Sequence, residues 1–259
     1  MTDVDELTNK IGNLVITQEE TPKKKVETED LGKIFEKAIC LLYEIDYQGK
    51  FKYNVEDAEK LKTKIVKLKD AFPYKIKHTA INGGRYDYVC TDDETIKLSA
   101  KTTKKDGKVC PQVIGQPSKK KFCNYFELAE NMEIDEIKKY IENNVLKMLD
   151  IYASTTFDCS TVYYNKHKNK LLLIQQKEKI VWSKYAVYFS HQIKNKEWNE
   201  SSTINIVPLD IKEPNKKDFI TIGEFQVHNK RDCIKFRWAF EKVIDVFESH
   251  FTITKIDLS

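Results

Sequence analysis

Between Arg85 and Thr103 the chain reads RYDYVCTDDETIKLSAKTT. Two runs rich in β-branched and aromatic residues flank the acidic turn DDE, a pattern that predicts an antiparallel hairpin with strands at about 85–91 and 95–102. The hairpin constrains the fold more than any other feature, because a lone two-stranded ribbon is marginal in water and must join a larger sheet. It also places chemistry. With the turn centred near Asp93, Asp87 falls opposite about residue 100, and side chains alternate between faces. Ser99 and Lys101 then share a face, so a carboxylate, a hydroxyl and an ammonium converge on one spot.

The surrounding sequence supplies elements for such a sheet. A helix starts near Glu29–Asp30, and its apolar face is Leu31, Ile34, Phe35, Ala38, Leu41, Leu42 and Ile45. Glu36 falls at the margin of that face. A second helix runs through VEDAEKLKTKIVKLKDAF and stops at Pro73. Gly83 and Gly84 mark a turn or a close backbone approach before the hairpin. A third strand is expected in VCPQVIG, and two helices at about 122–131 and 134–149. The C-terminal half is strand-rich, through KLLLIQQ, YAVYFS, STINIV, FITIGEFQVH and CIKFRWAF, before a last helix at about 238–249. The expected class is α/β to α+β, a mixed β-sheet flanked by helices. Residues 1–28 read as a flexible polar arm, and 29–259 as one domain.

No apolar run approaches the roughly 20 residues that span a bilayer, and the N-terminus MTDVDELTNK lacks the apolar stretch of a signal peptide. Six scattered cysteines lack the paired spacing of a zinc site. They read as free thiols in a reducing, cytoplasmic compartment rather than as a metal cluster of His78, Cys90, Cys110 and Cys123. Residues 97–121 hold eight lysines against one aspartate, a local charge of +7 that leaves the remainder at −3 under an overall +4. A basic segment on a mildly acidic body suits a polyanion held at one place, although a solvated lysine-rich loop is the plainer reading. Only three of the 44 cationic side chains are arginine: Arg85, Arg231 and Arg237. In so lysine-rich a chain, arginine points to positions that need a planar, bidentate guanidinium.

The hairpin constellation suits phosphodiester hydrolysis. Asp87 can hold a divalent cation, Mg²⁺ with Mn²⁺ as the alternative, and the carbonyl of Ala100 can join it. Lys101 can orient a water or neutralise developing charge on the phosphate. The plain alternative is an exposed cross-strand Asp–Lys pair, worth a few tenths of a kcal/mol.

The order Glu36, Asp87, Ser99-Ala100-Lys101 resembles the PD-(D/E)XK nuclease core. LSAKTTKKDGKVCPQVIGQPS and IGEFQVHNKRDCIKFRW resemble, respectively, the active-site strand with its following loop and a C-terminal strand pair of type II restriction endonucleases. The resemblance implies Mg²⁺-dependent, site-specific cleavage of double-stranded DNA, with Glu36, Asp87, Ser99 and Lys101 catalytic and Glu36, Asp87 and Ala100 on the metal. It implies DNA contacts from Arg85, Lys104, Lys105, Gln112, Gln116, Lys119 and Lys120. Base readout would come from Gln226, His228, Asn229, Arg231 and Arg237, since Gln and Asn pair with adenine and Arg with guanine. A homodimer would suit symmetric double-strand cleavage. The family pattern usually has an acidic residue where this chain has Ser99, which lowers the carboxylate count and raises the importance of Glu36. A repair or junction nuclease of the same fold, and a DNA-binding module without catalysis, remain as alternatives.

Overall fold

The computed structural model describes residues 27–81, 84–105, 107–111, 118–230 and 232–259. The N-terminal arm up to residue 26 and Gly83, Gln112, Gln116 and Arg231 lie outside the described residues.

Helix α1 (Glu27–Tyr43) buries Leu31, Phe35, Ala38, Ile39, Cys40 and Leu42. The helix expected after it is broken in two, α2 (Val55–Lys64) and α3 (Leu68–Ala71). The Ile65 N–H is shared between the carbonyls of Leu61 and Lys62, which tightens the last turn and ends α2. The apolar spacing survives the break, and Leu61, Ile65, Leu68 and Phe72 are all buried. Asn54 caps α2 by accepting the N–H of Glu56. These helices cover one face of a six-stranded mixed sheet.

That sheet has the order β1 (Ile76–His78), β2 (Tyr88–Cys90), β3 (Lys97–Thr103), β5 (Ser160–Asn165), β6 (Lys170–Gln176) and β11 (Phe251–Ile256). The hairpin is β2–β3, with Tyr88 opposite Leu98. Strand β5 runs parallel to β3, which requires a long crossover. The crossover carries a short strand β4 (Lys108–Val109) and helices α4 (Lys119–Tyr125), α5 (Ile134–Asn143) and α6 (Val145–Thr156). Of the third strand expected in VCPQVIG, the described residues show only Val109 at the end of β4.

The C-terminal strands form a second sheet rather than extending the first. Its order is β4, β10 (Ile234–Ala239), β9 (Ile220–Val227), β8 (Ser201–Pro208) and β7 (Tyr185–Phe189), all antiparallel. The expectation of one sheet is corrected here. β7 to β10 are consecutive, and each pairs with its chain neighbour, the low-entropy solution for sequential strands. The second sheet, with α4 to α6 and α8 (Phe240–Val246), covers the other face of the first through a core that includes Phe157, Tyr163, Ile174, Phe225, Phe236 and Trp238. A short helix, α7 (Ser190–Ile193), links β7 to β8. The molecule is mixed α/β with two sheets and, among the described residues, eight helices. All six cysteines are free thiols. Among the described residues no helix is long and apolar enough to cross a membrane.

Candidate active site

Pairing of β2 with β3 stops at Tyr88–Leu98, and at that point the strands part. Asp87 occupies the fork. Its main chain stays with β1, accepting the N–H of Thr79 (2.8 Å). Its carboxylate crosses to β3, where Oδ2 accepts the Ser99 hydroxyl (2.9 Å) and the Ala100 N–H (2.7 Å). A charged side chain thus takes a backbone donor that the diverging strand leaves behind. Oδ1 carries no hydrogen bond among the described residues.

Ser99 is fully buried. Lys101 is half-buried on the same face, and its ammonium makes no hydrogen bond or ion pair among the described residues. Across the parallel ladder, Ser99 faces Thr161 and Lys101 faces Tyr163. Cys159, just ahead of β5, has its thiol pushed up to about 12 by burial, and the charges of Asp158, Lys101, Asp87 and Arg85 all act on it. Asp87 is thus bonded to Ser99 and Ala100, with Lys101 two residues beyond Ser99 on the same strand face.

Glu36 lies on the α1 side. It is 7 % exposed, and the Tyr88 hydroxyl donates to its carbonyl (2.7 Å). Lys33 Nζ lies 3.0 Å from Oε1 and 2.8 Å from Oε2, while His78 Nε2 is 3.7 Å from Oε2. Burial works to raise its pKa, but His78 and Lys33 outweigh it and hold the carboxyl below the usual glutamate value. His78 is buried, stacks on Tyr47 and accepts the Gln48 N–H at Nδ1, so in the neutral ring the proton sits on Nε2, facing Glu36.

The predicted DNA contacts fall in several places. The Arg85 guanidinium and the Tyr86 hydroxyl both donate to Asp158 Oδ2, at 2.7 and 2.5 Å. Lys104 lines a cleft of about 370 Å³ with Asp30, Tyr53, Asn54 and Lys166, and Lys105 is exposed. Lys119 and Lys120, from the basic segment, share a cleft of about 470 Å³ with His228, Asn229 and Lys230 from the β9–β10 turn. Two separate stretches of sequence are brought together there. Asn229 accepts from the buried ammonium of Lys138 (3.2 Å), and His228 Nδ1 lies 3.4 Å from Glu200. Gln226 is half-buried, between Lys235 and Ser201 on the flanking strands. Arg237 does not reach the cleft: its Nε (2.9 Å) and Nη2 both donate to Oε1 of buried Glu224, whose Oε2 accepts from Lys108 (2.5 Å).

The sequence alone does not pair Lys33 or His78 with Glu36, Asp158 with Arg85, or Glu224 with Arg237. Lys33 offered one signal, a lysine one helical turn before Glu36 on the same face. The others depend on strand pairing.

A relative bears on this arrangement. The chain is similar to a type II restriction enzyme. It shares 42 % identity over 228 residues with type II restriction enzyme CviAII of Paramecium bursaria Chlorella virus 1, a match covering 88 % of this chain and 63 % of that protein. The chain thus spans less than two thirds of the relative's length. No protein-family model matches the chain. No solved structure matches it.

Among the described residues no group of three or more His, Cys, Asp or Glu side chains is placed to hold a metal ion. The hard oxygen donors at the fork are one carboxylate and the main chain of β3. That set suits Mg²⁺, which commonly keeps several waters and takes only one or two carboxylates from the protein.

Proposed function

We propose that this chain is a site-specific endonuclease that hydrolyses phosphodiester bonds of double-stranded DNA, built on a PD-(D/E)XK core in a single domain from about residue 29. The observation that carries the reading is the fork. In a chain 42 % identical to a type II restriction enzyme, Asp87 sits where β2 leaves β3, bonded to Ser99 and Ala100. Lys101 follows on the same face. The element order α1, β1, β2, β3, helical crossover, parallel β5 supports the same core.

Asp87 Oδ1 and the Ala100 carbonyl would hold a divalent cation, with Mg²⁺ favoured by the oxygen-only donors. When bound, the ion would polarise the phosphate and acidify a bound water. The residues of the chain do the rest. Ser99 and the Ala100 N–H fix the Asp87 carboxylate by holding Oδ2, which leaves Oδ1 directed elsewhere. Lys101, unpaired among the described residues, would bring an ammonium to the charge that develops on the phosphate. The cleft of Lys119, Lys120, His228, Asn229 and Lys230 would hold phosphates with its lysines and present polar side chains to base edges. Symmetric cleavage of both strands would call for a homodimer.

The test is incubation of unmethylated DNA with the protein and Mg²⁺. Discrete fragments that vanish with a chelator support the reading. Structure-dependent nicking would instead mark a repair nuclease, and binding without cutting a recognition module.

A further inference from the structure

Lys33 stands at a place that the proposed chemistry does not use. Its ammonium spans the Glu36 carboxylate, 3.0 Å from one oxygen and 2.8 Å from the other. The Asp87 charge also acts on it. Tyr88 directly follows Asp87, and its hydroxyl donates to the Glu36 carbonyl (2.7 Å), so α1 packs Glu36 over the strand that leaves the fork. Glu36 cannot turn away, because it is 7 % exposed and held on a packed helix. Lys33 can, because a third of its side chain is exposed and its stem is flexible.

A divalent ion that used Glu36 together with Asp87 would need the oxygens that Lys33 covers. We infer that Lys33 is an internal counter-ion that closes the Glu36 side of the cation site in the metal-free protein and must release Glu36 before a divalent ion can engage it. The inference rests on the reading of Asp87 as a metal-binding carboxylate. His78 does not replace Lys33 in this role, since it lies at 3.7 Å and is anchored through Nδ1 to the backbone of Gln48. A monovalent charge held against a part-buried carboxylate opposes a second cation by simple Coulomb repulsion, and its exchange for a divalent ion makes binding weaker than the bare carboxylates would allow.

The experiment is Mn²⁺ binding to the full chain without DNA, by calorimetry, for the wild type, Lys33→Met, Lys33→Gln, Glu36→Gln, Asp87→Asn and the Lys33→Met/Glu36→Gln double variant. Circular dichroism confirms that each is folded. The expected result has three parts: Asp87→Asn loses Mn²⁺, both Lys33 variants bind it several-fold more tightly than wild type, and the gain vanishes in the Glu36→Gln background. If the wild type binds no Mn²⁺, or Asp87→Asn binds it equally well, the metal-site reading fails and takes the inference with it. If Asp87→Asn loses Mn²⁺ but the Lys33 variants bind no more tightly, only the Lys33 inference is overturned. A gain that persists without Glu36 overturns it too, because it would reflect general surface charge.

Discussion

Asp87 has two jobs that substitution can separate. It satisfies two donors at the fork, and it offers a charge. Asp87→Asn keeps an oxygen for Ser99 and Ala100, so it should fold and bind DNA while cleavage is lost. Asp87→Ala strands a backbone N–H and should also cost about 1–3 kcal/mol of stability. Lys101→Ala should abolish cleavage with little change in stability, since its ammonium has no partner among the described residues. Paired cleavage assays and thermal melts read all three, and near-wild-type cutting by any of them would move the site elsewhere. Thr161 makes the opposite case. It is fully buried beside Ser99, and its hydroxyl has no hydrogen-bond partner among the described residues. Thr161→Val, nearly the same shape, should raise stability by about 1 kcal/mol by removing an unsatisfied polar group. A melting temperature that falls instead would mean that the hydroxyl is bonded in solution.

At the scale of elements, the β9–β10 hairpin ties the cleft of Lys119, Lys120 and His228 to the core. Gly223 lies opposite Trp238 in this pair, and a Cβ there would come within 2.7 Å of the Arg237 carbonyl and of the Phe236 ring. Backbone and a fully buried aromatic cannot both yield, so Gly223→Ala should destabilise by about 1–3 kcal/mol, measured by denaturant unfolding. The turn at the far end of the hairpin works with α4 instead. If Lys119 and Lys120 contact phosphates, replacing each with alanine should weaken binding to cognate and scrambled duplexes alike. Each change should lower the salt slope by about one. An altered ratio between the two duplexes would assign them to base readout.

Across the whole molecule, a part-buried carboxylate joins the layers. Glu241 on α8 accepts from Tyr163 and Asn165 of β5 and from Lys168, linking the C-terminal unit to the first sheet. Burial works to raise the pKa of Glu241, as it does for Glu224 and Glu36, yet their donors hold all three below the usual glutamate value of 4.5. A carboxyl whose pKa is depressed by folding stabilises the protein above its unfolded value, and that stability is lost as pH falls through the folded value. The protein should therefore lose stability on acidification from about pH 4.5 downward. Glu241→Gln should be less stable at pH 7 and should lose less over the same interval. Urea midpoints at several pH values measure both, and parallel curves for wild type and variant would remove Glu241 from the acid response.

Local pattern was enough for the helices and strands whose two faces differ or whose apolar run is bounded by polar turns. KLLLIQQ became β6, FITIGEFQVH became β9, and the DDE turn placed Asp87 against Ser99 and Ala100 as the alternation required. Three strands were not read. β1 spans only Ile76–His78, too short for any period, and β11 (Phe251–Ile256) lies at the chain end without a bounding turn beyond it. β5 is buried on both faces, so the alternation that marks a half-exposed strand is missing from STVYYN. The division into two sheets was equally invisible, because side-chain period does not encode which strand a given edge will meet. The same limit governs the site. Spacing along one hairpin brought Asp87 to Ser99 and Ala100, since a two-fold period and one turn determine that contact, and it set Lys101 on the face of Ser99. Tertiary structure alone placed His78 on Glu36 and Arg85 on Asp158, whereas Lys33 with Glu36 is a one-turn helix pair and Arg237 with Glu224 a cross-strand pair of the β9–β10 hairpin. It also set Lys119 and Lys120 beside His228 and Asn229. The pairs His78–Glu36 and Arg85–Asp158, and the meeting of α4 with the β9–β10 turn, join residues far apart in the chain, and only the packing of the elements selects them.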